Sequence, residues 1–270
     1  MLKSITKKQR VVFCTYSSIY SSQVLKILLQ SEAIEIVGIV NSTRLLKPSF
    51  NGFTGSLNFI RKTGWRYSTY LFLVTDLFAL LQPFSRLKTV HTLAKKNNIP
   101  LLDTLDINRD SGIQFINSLT PDILLSAHFN QLFKEPVLRL PKLTAINLHP
   151  SLLPNYKGVD PVFYALLNSE KQLGITAHVI DDSFDTGLIL RQQPFTANTS
   201  NCVFSHNMQL FEMGAEIAIQ AIHDLSLNKN HGEPQSGGNY DSWPDKHLVI
   251  KLRKQSKYLI KIARYLKALR

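Results

Sequence analysis

The chain has very little cysteine. Cys14 and Cys202 are the only two among its 270 residues, too few for a disulfide framework. Cys14 sits inside the apolar run VVFCTY as a small core residue, which suits a reducing compartment. Metal-site spacing is missing: there is no H-E-x-x-H and no Cys pair, so no metal is expected. No G-x-S-x-G surrounds Ser151, and no covalent nucleophile is evident. The longest apolar run, TYLFLVTDLFALL from Thr69, is too short to span a bilayer and carries Asp76. The basic start MLKSITKKQR leads into a short apolar run without a small-residue cleavage pattern, so no signal peptide is read. These absences lead to the expectation of a cytoplasmic chain, soluble or peripheral to a membrane. Acid is scarce as well, with 19 Asp and Glu against 31 Lys and Arg, a formal net charge of +12. From Lys246 to the end there are nine basic residues and no acid, which points to an anionic partner, a membrane surface or RNA.

What is present is a core-forming pattern. Hydrophobic residues make up 44% of the chain, enough for a folded domain. RVVFCTY reads as a buried strand, SSQVLKILLQSE as a helix opened by Ser caps, and IEIVGIV as a second buried strand. Strand, helix, strand at this spacing predicts a βαβ unit and a mostly parallel sheet. Residues 42–86 interrupt the alternation with an aromatic and basic stretch that reads as a helical insertion whose aromatics form its own core. Alternation then resumes, with strands at IPLLD, PDILLSAHF, LTAINLHP and GITAHVID and helices between them. VFSHNMQLFEMGAEIAIQAIHDL is a long amphipathic helix. The expected division is a domain over residues 1–228, then a turn-rich linker and one basic amphipathic helix over 229–270. That helix either packs on the domain with a solvated basic edge or lies on an anionic surface.

Ligands of open α/β sheets gather at the carboxyl ends of strands, and polar residues collect there. Asn147 and His149 in NLHPSLLPNYKG have the same parity and face one side of their strand. Pro150 and Pro154 stiffen the loop that follows. An amide can donate to an oxyanion, and an imidazole can move a proton near neutral pH. DDSFDTG adds Asp181, Asp182 and Asp185. A carboxylate beside an imidazole can orient it and take a proton from an attacking group. Together these groups suit attack on a carbonyl by a nucleophile that the substrate brings. His178, in mid-strand, reads as a hydrogen-bonded structural residue, and His128 as a strand-end residue near the site. Lys157 either binds an anionic acceptor or is solvated. Asp181 and Asp182 read as loop-shaping.

NLHPSLLPNYKG followed by GITAHVIDDSFDTG resembles the signature of the folate-dependent formyltransferases, a family of methionyl-tRNA, glycinamide ribonucleotide and sugar N-formyltransferases together with a hydrolytic deformylase. His149 lies 36 residues before Asp185, the separation the family keeps. The resemblance runs over about residues 10–200, apart from the insertion. It implies a Rossmann-like formyltransferase fold with a C-terminal helical extension, and 10-formyltetrahydrofolate as co-substrate. It also implies that Asn147 and His149 stabilise the tetrahedral intermediate while Asp185 orients His149 and assists deprotonation of an amine. SAHFNQLFKEPVL is similar to the family's pterin-pocket segment, which implies Leu132 and Phe133 on its apolar wall and the loop Asp181, Asp182, Ser183 and Phe184 on the pterin edge. Two departures bear on the acceptor. TYSSIYSS has no glycine where glycinamide ribonucleotide formyltransferases carry a Gly-rich phosphate loop. The residues after 200 read as helix, turn and helix, where methionyl-tRNA formyltransferases carry a β-barrel. The expectation is transfer to a primary amine such as an amino sugar, with the insertion shaping the acceptor pocket. Hydrolysis of the same donor, a methionyl-tRNA enzyme without the barrel, and a non-catalytic tethering protein are the alternatives.

Overall fold

A computed structural model describes residues 7–44 and 53–270. The apolar runs become strands buried on both faces, as a parallel sheet between helical layers requires. In chain order the elements begin with β1 (Gln9–Thr15), α1 (Ile19–Leu28) and β2 (Ile34–Ser42). The insertion follows as α2 (Phe53–Thr63), α3 (Trp65–Phe72), one wide turn over Leu73–Leu77 and α4 (Phe78–Leu80). Then come α5 (Val90–Lys96), β3 (Leu101–Thr104), α6 (Asp110–Leu119), β4 (Ile123–Ala127), α7 (Glu135–Leu138), β5 (Thr144–His149) and β6 (Lys157–Gly158). The chain closes with α8 (Pro161–Leu167), β7 (Gln172–Val179), β8 (Ile189–Thr196), α9 (Val203–Ser226), β9 (Tyr240–Asp241), α10 (Lys246–Lys254) and α11 (Ile262–Leu269).

The main sheet has the order β3-β2-β1-β4-β5-β7-β8. Its first four pairings are parallel, and β7 runs antiparallel to both β5 and β8. Strand order reverses at β1, so a crevice opens at the carboxyl ends of β1 and β4. The Ser caps read from the sequence form a reciprocal box: Ser18 Oγ accepts from Ser21 N, and Ser18 N donates to Ser21 Oγ. β8 has no counterpart in the sequence reading. It is an edge strand, with Leu190 buried and most of the rest half-buried or exposed, so it lacks the continuous apolar run that marks the inner strands.

The insertion helices share the main core instead of closing one of their own. Tyr67, Tyr70, Val74 and Phe78 are buried in the same cluster as Phe13, Val24 and Phe211. Their hydroxyls build a polar chain inside it. Tyr20 and Tyr70 hydroxyls lie 2.7 Å apart, Asn207 Nδ2 donates to Tyr70 Oη at 3.3 Å, and Tyr67 Oη donates to Asp160 Oδ2 at 2.9 Å. Asp160 keeps some surface, but its carboxyl is enclosed, and this burial pushes its pKa up to about 6 against the pull of the Tyr67 hydroxyl. A carboxyl with a folded pKa above its unfolded value of about 3.9 holds protons better when folded, so stability falls as pH rises between those two values and levels off above them. Asp160→Asn is expected to flatten that decline, by on the order of 1–3 kcal/mol. Thermal melts of variant and parent from about pH 4 to 7 check this, and parallel curves would contradict it.

The tail is not the single helix the periodicity predicts. Ser256 turns left-handed at φ 59°, and the chain runs non-helically to Lys261 before α11 begins. The break has a use. α9 starts at Cys202 without a side-chain cap, and Val203 N and Phe204 N donate to the carbonyls of Tyr258 and Leu259. Chain that would have continued α10 thus satisfies the free amides of another helix. Val249, Leu252, Leu259, Tyr265 and Leu269 are buried in the main core, so the tail packs on the domain.

Candidate active site

β5 delivers Asn147 and His149 from one face, and the antiparallel register sets His178 of β7 directly opposite Asn147. The turn after β7 brings Asp185 back over both. Asp185 Oδ1 lies 3.5 Å from His149 Nδ1, 3.5 Å from His178 Nε2 and 3.3 Å from Asn147 Nδ2, and Gly158 N donates to Oδ2 at 2.9 Å. Asn147 Nδ2 also lies 3.2 Å from His178 Nε2. His178, read from the sequence as structural, is therefore part of the cluster. The signal that would have found it is the cross-strand register, which a sequence does not print.

The hydrogen bonds assign the tautomers. His178 Nδ1–H donates to the Val179 carbonyl at 2.8 Å, and its Nε2 faces both the Asn147 amide and the Asp185 carboxylate. His149 Nε2–H donates to the Tyr156 carbonyl at 2.8 Å, which leaves Nδ1 facing Asp185. Burial lowers the His149 pKa, opposed by the Asp185 charge and the Tyr156 carbonyl. For Asp185, burial alone would raise the pKa. The facing imidazoles and the Gly158 amide outweigh it and hold the carboxyl well below the usual range. Neutral pH thus finds a carboxylate against an imidazole that can take or give one proton at Nδ1. The Asn147 amide is directed within the cluster, donating to Asp185 Oδ1 with His178 Nε2 3.2 Å away. A substrate oxygen competes with the Asp185 carboxylate for a hydrogen bond from this amide.

The loop after β5 is held from below. Thr176 Oγ1 donates to Ser151 O at 2.6 Å and accepts from Leu153 N at 3.2 Å, and Gln192 Nε2 donates to Leu153 O at 2.8 Å. The stretch expected as a linker is built into the site. β9 pairs with β6, and Gln235 Nε2 donates to the carbonyls of Asp185 at 3.1 Å and Gly187 at 2.7 Å. Lys157 Nζ donates one hydrogen bond to the Gly237 carbonyl at 2.9 Å, in an exposed position. His128, Tyr156, Asp160 and Asp185 all take left-handed backbone angles, a concentration of strain at the strand ends that the surrounding hydrogen bonds enforce.

The residues expected on the pterin pocket divide. Phe133 is a core residue, 1% exposed and packed edge-on against Phe129. That corrects its place on an open apolar wall; of the pair, Leu132 keeps surface. Asp181 shapes its loop, accepting from Ser183 N and Thr186 Oγ1, and Ser183 Oγ donates to Asp182. Phe184 is exposed, with its ring 6.1 Å from that of Tyr240. Tyr240 and Gln235 are the site-loop residues that sequence reasoning missed, since two-residue pairings and single side chains in a turn-rich stretch leave no period. His128 is packed away from Asp185, among Tyr20 and Phe211, with Nδ1 on the Tyr16 carbonyl. A cavity of about 430 Å³ lies at the ends of β1 and β2, between Ser17, Ser22 and Asn41 on one side and Thr75, Asp76 and Gln82 of the insertion on the other. The insertion thus contributes one wall of a cavity in the crevice.

Fold and site define an open α/β domain with an amide, two imidazoles and a carboxylate at its strand ends. A family model for formyl transferase matches residues 88–222, half of the chain, and the chain belongs to that family. It is 32% identical over 143 residues to a methionyl-tRNA formyltransferase of Methylacidiphilum infernorum, an alignment covering 53% of this chain and 45% of that protein. It is 31% identical over 145 residues to the GDP-perosamine N-formyltransferase of Brucella melitensis, covering 54% of each. The chain therefore spans about half the length of the curated relatives it matches. Among solved structures, an N-formyltransferase of Helicobacter canadensis, in complex with folinic acid and dTDP-3-aminofucose, superposes with a TM-score of 0.56 at 19% identity, covering 87% of this chain and 71% of that one. This last likeness is one of fold. Among the described residues no helix is long and apolar enough to cross a membrane.

Proposed function

We propose that the chain transfers a formyl group from 10-formyltetrahydrofolate to a primary amine. The observation that carries this reading is the cluster itself: Asn147, His149 and His178 all approach one carboxylate, Asp185, within 3.5 Å at the strand ends of a formyl transferase domain. In the reaction the amine nitrogen attacks the formyl carbon, and the carbonyl oxygen takes the negative charge. Asn147 turns one amide hydrogen to that oxygen, and His149 takes the amine proton at its free Nδ1, directly or through one water, so that the imidazolium formed supports the same charge. The Asp185 carboxylate orients that imidazole and steadies its charge, which assists the deprotonation, and the proton returns to the folate nitrogen as its bond to carbon breaks. Tetrahydrofolate and the formamide leave. Backbone groups of residues 181–184 bind the pterin edge, and Leu132 lines the apolar side of its pocket.

For the acceptor we favour an amino sugar. The Brucella relative is a GDP-perosamine N-formyltransferase by name, the Helicobacter N-formyltransferase is in complex with dTDP-3-aminofucose, and the hydroxyls and amides lining the cavity between the insertion and β1 suit a polyol. The test is to incubate the chain and 10-formyltetrahydrofolate with a panel of free and nucleotide-linked amino sugars and with methionyl-tRNA, reading each acceptor by mass spectrometry. The expected result is an amino sugar that gains the mass of one CO. Formate released without any amine would support hydrolysis instead, and a gain confined to the tRNA would move the acceptor to that class.

A further inference from the structure

The positive charge of this chain is not spread over it. The insertion helices (53–86) and the tail (246–270) together hold 13 of the 31 Lys and Arg but one of the 19 Asp and Glu, which is Asp76. The whole formal charge of +12 therefore resides in these two segments, and the rest of the chain balances at 18 of each sign. The two segments are joined in space. Arg86 N donates to the Leu269 carbonyl at 2.8 Å, Ser85 Oγ to the same carbonyl at 3.1 Å, and Tyr265 Oη to the Leu73 carbonyl at 2.7 Å.

α11 has a wider apolar face than the domain covers. Tyr265 and Leu269, one turn apart, are buried, at 3% and 8% exposure. Ile262 and Leu266, also one turn apart on the adjoining face, stand 61% and 49% exposed. On the segment that α11 touches, Leu80 and Phe84 stand 69% and 86% exposed. Arg86, Arg264, Lys267 and Arg270 surround these side chains in sequence and are exposed. Large apolar side chains that project beside basic ones, on two elements bonded to each other, are what an interfacial anchor presents to a bilayer with anionic headgroups. A nucleic acid would engage the basic residues but gains nothing from exposed Leu and Ile side chains.

We propose that α11 and the end of the insertion form a docking face for an anionic lipid bilayer, with Leu80, Phe84, Ile262 and Leu266 entering the headgroup boundary and the basic residues meeting the lipid phosphates and carboxylates. The insertion also supplies Thr75, Asp76 and Gln82 to the cavity at β1 and β2, so docking sets that cavity beside the bilayer. This inference stands apart from the formyl-transfer reading and does not need it.

The test is co-sedimentation of the full chain with vesicles of phosphatidylcholine alone and of phosphatidylcholine mixed with phosphatidylserine. Adsorption is expected on the mixed vesicles only, weakening as salt rises because exposed charges are screened beyond about 10 Å at 0.1 M. The double variant Phe84→Ser, Leu266→Ser removes exposed side chains and is expected to keep the parent's melting temperature while its partitioning falls at least about tenfold. Lys267→Glu with Arg270→Glu should act in the same direction through charge. Absence of adsorption to the mixed vesicles, or adsorption unchanged in both double variants, overturns the proposal. So does tight binding of a transfer RNA with no vesicle adsorption, which would assign the face to nucleic acid.

Discussion

Replacing Asp185 by Asn is expected to lower turnover about a hundredfold or more, the scale on which a general acid–base group contributes, while the domain stays folded. The isostere keeps the shape of the loop. Gln235 holds the backbone carbonyls of residues 185 and 187, and Asp181 closes the turn through Thr186; none of these contacts uses the carboxylate of Asp185. Folate affinity should therefore change little, so the loss falls on kcat. Stability carries a second signature. The Asp185 carboxyl has its pKa held below the unfolded value, so its contribution is complete above the unfolded pKa and is lost as pH falls through the folded one. Parent and variant should differ in melting temperature at neutral pH and converge in acid. Turnover near that of the parent would show that Asp185 does not assist the proton transfer.

The second large effect is expected from a residue with no side chain. A Cβ at Gly187 would lie 1.9 Å from the carbonyl oxygen of Val179, and backbone cannot swing aside as a flexible side chain can. Gly187→Ala must push the loop outward two residues from Asp185. A misplacement of about 1 Å can cost on the order of a hundredfold in rate. We expect a loss of kcat comparable to that of Asp185→Asn, together with a lower melting temperature, because the Gln235 bond to the Gly187 carbonyl is strained as well. Steady-state kinetics and melting of this variant check both parts, and a fully active Ala variant would show that the loop position is not critical.

These two positions also show what could be read from the chain alone. Asn147, His149, Asp185 and Gly187 were legible because they lie in stretches whose order and spacing are distinctive, and the parity of a strand places Asn147 and His149 on one face. The inner strands were legible because burial on both faces demands continuous apolar runs. β8 was not, since an edge strand with one wet face spells a mixed sequence. His178 entered the cluster through an antiparallel register, and Gln235 and Tyr240 through a turn-rich stretch, where long-range partners leave no local pattern. The break at Ser256 was hidden because the apolar spacing of the tail carries on across it. What overrode that spacing is the need of α9 for carbonyl partners at its start.

The most direct measurement follows an isotopically labelled formyl group in a single turnover. The chain, loaded with labelled 10-formyltetrahydrofolate, is mixed with an acceptor amine, and the label is tracked by NMR in parent, Asn147→Ala and His149→Ala proteins of matched fold. The account predicts that the label moves to the amine nitrogen in the parent. It also predicts that this step slows about a hundredfold or more in each variant at unchanged folate occupancy. Label appearing as formate in the parent, or reaching the amine at the same rate in all three proteins, would contradict it.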